Sequence, residues 1–457
     1  MIINDRGREV EEKVKNKPIV IYGGPLFDGK GNVYKDGAIY VSEEKVKFAG
    51  NEEEVFSRIP KNTDMEFYDT QGKVIFPGLI NLHHHFYSAL SKGLSPIGRV
   101  TNFYERLSNF WWKLDKALDG ETIQLSALIT LLDCINAGVT TVFDHHSSPA
   151  NIKGSLENIA SVVKKSGIKA ALCYEVSDRD GNDVFTHGLE ENLNFIESHK
   201  DAEDVKGILG LHANFTLSED SLKEISRYFD PEVGIHIHCG EDAIDAEYCR
   251  DLGYEGPVNR LNHFNLLSSK SILAHGIYLS RKELKILEKA KAIIVHNPES
   301  NMNNNVGRLD IPLPENVPVG MGTDGMSSNM LQTLRSAYLL HRQAGVEEET
   351  ILKNIPDYTF KNNSLFASQF FSGKPGILEQ GSNADISVFD YIPVTSFHSE
   401  NLYGHIIFGM CNAQASMVMT KGRIIYNDGA FLTLDEELIR NEAKKASKRL
   451  WEKYINQ

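Results

Sequence analysis

The sequence predicts an α/β fold: a (β/α)₈ TIM-like barrel with a small β-sandwich domain built from both chain ends. Short apolar runs in the middle of the chain alternate with helical stretches, which is typical of βα units and a parallel sheet. Both ends instead show short strand-like runs separated by turns, an antiparallel pattern. A length of 457 residues exceeds one ordinary core and suits a barrel with a smaller module.

The middle of the chain holds eight apolar runs of strand length, with helical stretches between them. These runs cover residues 74–80, 139–143, 170–174, 207–211, 233–237, 271–274, 292–295 and 317–322. Eight parallel strands with intervening helices close into a barrel. We therefore expect the barrel over residues 76–375, and the sandwich domain over residues 1–75 and 376–457.

Composition excludes several classes of protein. The formal charge is −14 and no block of Lys or Arg stands out, so we expect no nucleic-acid partner. No apolar run approaches the roughly 20 residues of a membrane helix, and the charged N-terminal segment has no apolar core typical of a signal peptide. The five cysteines are odd in number and lack CxxC spacing, which fits a reducing cytoplasm. We expect a cytoplasmic protein that acts on a small molecule.

Polar side chains follow nearly every predicted strand. In a (β/α)₈ barrel the carboxyl ends of the strands open on one face, where active sites are built. Ten of the sixteen histidines lie within or just beyond these strand ends. They are His83, His84, His85, His145, His146, His212, His236, His238, His275 and His296. A shared metal and substrate site explains this concentration better than scattered surface histidines do.

The residue types at these strand ends indicate a catalytic metal. His83 and His85 are two positions apart on an extended segment, so both can grip one ion while the residue between them points away. A third histidine from strand five and an Asp from strand eight would leave a coordination position open for water. Imidazole and carboxylate ligands suit zinc, iron or manganese. Glu241 and His275 can then move a proton and hold the attacking water.

Several motifs, in order, resemble those of the amidohydrolase superfamily. PGLINLHHHF (77–86) resembles its PGxIDxHxH opening, and IHIHCGE (235–241) resembles the HxxE of its deaminase branch. LAHG (273–276), VHNPESNMNNNVG (295–307) and MGTDGMSSN (321–329) resemble later motifs of that deaminase and triazine-hydrolase branch. GILEQGSNADISVFD (376–390) is similar to the segment that re-enters the β-sandwich. Together these motifs cover nearly the whole chain.

Four further segments resemble the aminohydrolase subgroup called SsnA, which is associated with selenium-dependent purine metabolism. They are FWWKLDKALD (110–119), GVTTVFDHHSSP (138–149), YEVSDRDG (174–181) and ENLYGHIIFG (400–409). The superfamily resemblance implies roles for particular residues. These are the metal ligands His83, His85, His238 and Asp324, the catalytic residues Glu241, His275 and Asp324, and the substrate contacts His212 and Asn297. We expect one divalent metal, zinc ahead of iron, because Lys206 precedes strand four and cannot bridge a second ion.

Two departures from the resemblance concern the pocket. HANFT (212–216) stands where many relatives have HAPYT, and HHHF where many have HTHL. Two pairs of adjacent aromatic or histidine residues each allow two interpretations. Trp111 and Trp112 predict either a substrate lid or a half-buried helix, and His145 and His146 either shape the pocket or cap strand two.

Three functions stay open. The first is hydrolytic deamination of an amino-substituted heterocycle, such as a purine or pteridine, by a metal-activated water. The second is hydrolysis of another ring substituent or of a cyclic amide at the same site. The third is a non-catalytic barrel, against which the full ligand set argues. A homodimer is the oligomeric state we consider.

Overall fold

The computed structural model describes residues 17–61, 63–314 and 316–456. The first sixteen residues, which carry the sequence argument about a signal peptide and belong to the predicted sandwich domain, lie outside this part. The strands are β1 (Ile19–Phe27), β2 (Val33–Ser42), β3 (Lys45–Asn51), β4 (Glu66–Asp69), β5 (Val74–Pro77), β6 (Leu79–His84), β7 (Val139–His146), β8 (Lys169–Tyr174), β9 (Val205–Gly207), β10 (Leu209–Ala213), β11 (Ile235–Cys239), β12 (Ile272–His275), β13 (Ile293–His296), β14 (Val319–Met321), β15 (Ile386–Phe389), β16 (Ala415–Thr420), β17 (Arg423–Asn427) and β18 (Ala430–Phe431).

Helices follow most strands of the middle region. They are α1 (Glu52–Arg58), α2 (Phe103–Arg106), α3 (Trp112–Ala117), α4 (Gly120–Asn136), α5 (Ser155–Ser166), α6 (Asn182–His199), α7 (Glu219–Ser226), α8 (Ala243–Asp251), α9 (Pro257–His263), α10 (Arg281–Ala290), α11 (Pro298–Asn304), α12 (Met330–Gln343), α13 (Glu348–Pro356), α14 (Asn363–Ala367), α15 (Leu402–His405) and α16 (Glu436–Ile455). Within the described ranges, no helix combines the length and apolar character that crossing a membrane requires.

Strands from both chain ends form one nine-stranded sheet. Its order is β18-β17-β16-β15-β5-β1-β2-β3, with β4 paired to β1. The two ends meet where β5 and β15 run antiparallel, with Ile386 opposite Pro77 and Phe389 opposite Val74. One face of this sheet packs around a small apolar core that includes Ile21. The strand-like runs predicted at both chain ends therefore pair with one another.

The middle of the chain forms two parallel sheets. β6 to β9 make the first, and β10 to β14 make the second, each in chain order. Isolated parallel bridges join the two sheets at both seams, between Val176 and Leu211 and between His84 and Asp324. The apolar core of these sheets includes Phe143 and lies below the strand ends. Their carboxyl ends consequently share one face.

The first predicted barrel strand, 74–80, is divided in the structure. β5 belongs to the nine-stranded sheet and β6 to the parallel sheet, with Gly78 between them. A Cβ atom at Gly78 would lie 2.2 Å from Thr140 Oγ1, so only glycine lets the chain pass there. The predicted fourth strand, 207–211, is likewise divided between β9 and β10. A continuous apolar run does not reveal such a change of sheet.

Two contacts tie the nine-stranded sheet and the C-terminal helix to the parallel sheets. Lys169 at the start of β8 forms a fully buried ion pair with Asp385, with Nζ 2.5 Å from Oδ2. Helix α16 packs on α4, and Trp451 Nε1 donates to Leu90 O at 2.8 Å. The predicted sandwich segment 376–457 therefore includes a helix that contacts the barrel.

Candidate metal centre and active site

The strand ends bring the predicted polar residues together on one face. β6 ends in the histidines of the first motif, β10 carries His212, β11 carries His238, and β12 ends at His275. Asp324 follows β14 and has a left-handed backbone, with φ of 55°, while His275 has φ of 79°. Non-glycine residues rarely adopt such angles, and they concentrate at functional sites.

Imidazole and carboxylate atoms converge at the centre of this face. His85 Nε2 lies 3.2 Å from His238 Nε2 and 3.1 Å from Asp324 Oδ1, and His83 Nε2 lies 3.9 Å from Asp324 Oδ1. Ligand atoms of His83, His85, His145 and His238 all lie within 4.8 Å of one another, as do those of His83, His275 and Asp324. The four predicted ligands are thus brought together, and His145 joins them.

The other ring nitrogens of these histidines have partners that orient the rings. Nδ1 of His85 and Nδ1 of His238 each donate to a backbone carbonyl oxygen, at 2.6 Å and 3.0 Å. His83 Nδ1 lies 2.8 Å from His236 Nε2. Such hydrogen bonds fix the ring orientation in metal sites, because they direct the remaining nitrogen at the ion. His84 points elsewhere, to Ser328 Oγ at 3.1 Å, as the alternation of an extended segment predicts.

A divalent metal fits this donor set. His83 Nε2 is fully buried and has no hydrogen-bond partner among the described residues, although it faces the cluster. Burial, together with neighbouring histidines, lowers the pKa of His83 and of His238, which favours the neutral rings that metal binding needs. Burial also lowers the pKa of His85, but bonding to Asp324 outweighs it and gives a pKa of about 9. A cation at the cluster would displace that proton.

Glu241 and His275 form one wall of the centre. Glu241 Oε2 lies 3.4 Å from His275 Nε2, and Glu241 Oε1 accepts a hydrogen bond from Asn304 Nδ2 at 3.3 Å. His275 Nδ1 pairs with Asn301 Oδ1 at 2.8 Å, which aims Nε2 at the cluster. Burial and the charge of Asp324 raise the pKa of Glu241 well above its usual range. A buried carboxyl with this pKa holds a proton that it can donate.

A pocket opens over the cluster. Its aromatic lining consists of Tyr87, Phe103, Trp111, Trp112 and Phe215. Its polar lining includes Glu175, Arg179, His212, Glu241 and Asp324. The two tryptophans, for which the sequence left two interpretations, therefore face the pocket. A planar apolar ring with polar edges suits such a wall.

Two predicted substrate contacts have different positions. His212 lines the pocket, and its Nδ1 lies 2.8 Å from Thr216 Oγ1. Asn297 is fully buried and does not line the pocket; its Nδ2 donates to Val295 O at 3.2 Å. A Cβ at Gly322 would lie 2.6 Å from Asn297 Oδ1, so Asn297 packs beneath the loop that carries the metal-facing carboxylate. This position gives Asn297 no direct route to a substrate in the pocket.

A buried ion pair beside the histidines was not given a role by sequence reasoning. Glu175 Oε1 lies 3.1 Å from His145 Nδ1, while His145 Nε2 is within 3.1 Å of two backbone carbonyl oxygens. Burial alone would raise the pKa of Glu175, but His145 lowers it well below the usual range. His145 thus lies at the end of β7 among the clustered histidines and does not line the pocket. The position of Glu175 just after a strand was the available signal.

A second buried network lines the opposite wall. Arg179 pairs with Asp115 and donates to Ser147 Oγ at 2.8 Å, and its guanidinium lies 5.4 Å from the Trp112 ring centroid. Burial raises the pKa of Asp115 to about 6, although the charge of Arg179 opposes this. Nothing in the sequence around Asp115 indicated that its carboxylate pairs with a residue 64 positions away.

Comparison with known proteins agrees with this geometry. The model of the amidohydrolase family matches residues 74–425, most of the chain. The chain belongs to the amidohydrolase family. The predicted family and the predicted class, a metal-dependent hydrolase, are confirmed.

Two curated relatives of this amidohydrolase are deaminases. The 5'-deoxyadenosine deaminase of Methanocaldococcus jannaschii is 26% identical over 427 residues, covering 91% of this chain and 97% of that protein. The 5-methylthioadenosine/S-adenosylhomocysteine deaminase of Thermococcus sibiricus is 29% identical over 419 residues, covering 89% and 92%.

Solved structures share the fold. An adenosine deaminase from Xanthomonas campestris with bound zinc has a TM-score of 0.80 at 18% identity, over 94% of this chain and 98% of that one. The predicted TIM-barrel-type α/β fold is confirmed at this level.

Proposed function

We propose that this amidohydrolase deaminates an amino-substituted heterocycle, with a purine of the adenine type as the first candidate. Water adds to the ring carbon that bears the amino group, and ammonia then leaves, so an N-substituted carbon becomes a carbonyl carbon. The observation that carries the proposal is the convergence of His83, His85, His238 and Asp324 beside a buried Glu241.

One divalent cation fits the site, and we infer that His83, His85, His238 and Asp324 hold it. When bound, such an ion lowers the pKa of water from 15.7 toward about 7 and so supplies a nucleophile at neutral pH. Neutral imidazoles and a carboxylate favour zinc, with iron as the alternative. Two relatives by fold and sequence are deaminases, which supports the same use of the centre here.

Two side chains transfer protons, and a third positions the water. Asp324 accepts the proton of the attacking water, because its carboxylate lies at the cluster, with Oδ1 3.1 Å from His85 Nε2 and Oδ2 3.6 Å from His275 Nε2. Glu241 donates its proton to the ring nitrogen or to the departing amine, since burial keeps its carboxyl protonated. His275 Nε2, 3.6 Å from Asp324 Oδ2, accepts a hydrogen bond from the attacking water and so orients it, because Nδ1 of the same ring donates to Asn301 Oδ1.

The pocket supports a heterocyclic substrate. Trp112 and Phe215 both line the pocket, with ring centroids 6.2 Å and 6.1 Å from that of His212, so flat apolar surfaces face the space above the cluster. Aromatic pairs gain about 0.5–1.5 kcal/mol beyond their buried area, which favours a planar ring over a flexible chain. His212 then contacts the polar edge of that ring. The relatives named above act on adenosine derivatives, and we infer a neutral nucleoside of that kind as the substrate.

The proposal extends to the fold, the oligomeric state and the cellular location of the protein. We infer that the two parallel sheets close into an eight-stranded barrel through the bridges at both seams, with β9 and β10 as two segments of its fourth strand. The nine-stranded sheet would form the β-sandwich domain, with the predicted limits 1–75 and 376–457. A homodimer in the cytoplasm is the expected state of the protein.

A substrate panel tests the proposal. The purified protein, with its metal content measured, is incubated with purines, nucleosides, pyrimidines, pteridines and substituted triazines, and ammonia release is followed. Deamination of an adenine-type ring that is lost in His238→Ala supports the proposed function. Release of a different substituent, or opening of a cyclic amide, would establish the second hypothesis instead. A metal-loaded protein without turnover on any compound would contradict the proposal.

A further inference from the structure

We propose that Asp245, a buried carboxylate outside the catalytic set, is a positioning residue that locks the loop carrying Glu241 to the loop carrying Phe215. The inference rests on the proposed function, because it concerns the placement of the proton donor. Asp245 lies in the first turn of α8 and is 2% exposed. It touches neither the pocket nor the metal cluster.

Both oxygens of Asp245 are used, and each holds a different loop. Oδ2 accepts a hydrogen bond from Gly240 N at 2.8 Å, and Oδ1 accepts one from Phe215 N at 3.1 Å. Gly240 follows β11 directly, whereas Phe215 follows β10. β10 and β11 pair along their length, but this pairing stops where the strands end. Beyond that point the carboxylate of Asp245 fixes the spacing between the two loops.

Each loop bonded by Asp245 carries a part of the site. Gly240 has a left-handed backbone, with φ of 61°, and Glu241 is the next residue. The Gly240 carbonyl accepts from Tyr278 N at 2.9 Å, so Gly240 is held at both its N–H and its C=O group. The Phe215 ring lines the pocket and lies 6.1 Å from the His212 ring. The clamp therefore sets how far the proton donor stands from the aromatic wall.

A buried cation completes the clamp from the other side. Arg260, which is fully buried, donates to Asn214 O at 2.8 Å and to Leu217 O at 2.7 Å. Both carbonyls belong to the loop that carries Phe215. Its guanidinium also lies 5.3 Å from the Tyr248 ring centroid. Burial raises the pKa of Asp245 to about 6, and the charge of Arg260 opposes this rise. Asp245 thus holds the loop after β10 at the Phe215 N–H group. Arg260 holds the same loop at its carbonyl groups.

A carboxylate is needed because both partners donate. In Asp245→Asn one oxygen becomes an NH₂ group, which cannot accept from a backbone N–H, so one loop loses its anchor. The buried N–H group is then left without an acceptor, which favours movement of that loop. Small errors in the position of a catalytic group reduce turnover far more than they reduce substrate binding.

The experiment compares Asp245→Asn with a matched control, Asp242→Asn. Asp242 is next to Glu241 and caps α8, with its side chain accepting from Ile244 N at 3.0 Å. Asn is as good a helix cap as Asp, so this control makes the same chemical change without touching the clamp. Metal content, kcat and KM on the deaminated substrate are measured for both variants and for the native sequence. Hydrogen exchange at the amides of Gly240 and Phe215 is measured on the same proteins.

We expect Asp245→Asn to keep its metal, to lose at least 10-fold in kcat with KM within about 3-fold, and to exchange one of the two amides faster. Asp242→Asn should match the native protein in metal content and in exchange at both amides, and it should lose less kcat than Asp245→Asn, because the charge of Asp242 contributes to the raised pKa of Glu241 only after burial and Asp324. An unchanged kcat, an equal loss in both variants, or a loss of metal in Asp245→Asn would overturn the proposal.

Two further outcomes are separable. If Asp245→Asn does not fold, exchange in the native protein decides: slow exchange at both amides supports the clamp, and fast exchange at either refutes it. If the native protein deaminates nothing, the proposed function fails, while the exchange data still test whether Asp245 holds the two loops.

Discussion

Replacing Glu241 by Gln separates proton transfer from metal binding. The side chain keeps its shape. In the native protein Asn304 Nδ2 donates to Glu241 Oε1 at 3.3 Å, and the Gln oxygen can still accept this bond, so the stability change stays below about 1 kcal/mol. Glu241 is absent from both groups of converging ligand atoms, and its nearest ring nitrogen belongs to His275 at 3.4 Å. Metal content should therefore be unchanged.

The loss of activity in Glu241→Gln follows from the lost proton. General acid catalysis contributes about 10²–10⁴-fold, and kcat should fall by that factor, or about 3–5 kcal/mol of barrier at 1.36 kcal/mol per decade. His238→Ala should instead lose metal and activity together, because its Nε2 lies 3.2 Å from His85 Nε2 within the donor cluster. Glu247→Gln, on the exposed face of α8, makes the same chemical change and should behave as the native protein.

The assay is ammonia release at saturating substrate, with metal content measured on the same preparations. If Glu241→Gln loses its metal as His238→Ala does, then Glu241 is a ligand and the reasoning is refuted. If Glu241→Gln keeps full activity, the proton donor is another group, and Asp324 and His275 are the next residues to test.

Four other outcomes are expected. Elemental analysis should give close to one tightly held zinc or iron per chain, and its removal by a chelator should lower Tm, since ligands stabilise the fold that binds them; two tight ions, or an unchanged Tm, would contradict this. Deleting residues 376–457 removes β15, the partner of β5, and should give insoluble protein; a soluble, metal-loaded truncation would disprove it. Lys169→Met leaves the buried Asp385 unpaired and should destabilise the protein by about 3–5 kcal/mol in chemical denaturation; an unchanged midpoint would argue against it. Burial lowers the pKa of His341 from 6.5 to about 4, so the unfolded chain binds the proton more tightly. Its contribution to stability is complete above pH 6.5 and is lost as the pH falls toward 4; His341→Asn should flatten this part of the stability curve, and an unaltered slope would be inconsistent with the shift.

The sequence alone determined that His83, His85, His238 and Asp324 lie together on one face. This worked because the carboxyl ends of parallel strands open on one face, so positions as distant as His83 and Asp324 must meet there. Alternation along an extended segment also predicted that the side chain between His83 and His85 points away from theirs. Neither inference needed knowledge of loop conformation.

Only the tertiary structure decided which polar residues reach the pocket. Asn297 follows a strand as the ligands do, yet its side chain is buried beneath a loop, because the backbone after β13 turns directly into α11. Asp115 and Asp245 carry no motif, and their partners come from other elements. A sequence pattern reveals the hydrophobic periodicity of a single helix or strand. The direction of a side chain in a loop depends instead on packing between elements. The clamp and the two buried charge networks therefore became visible only once the loops were placed.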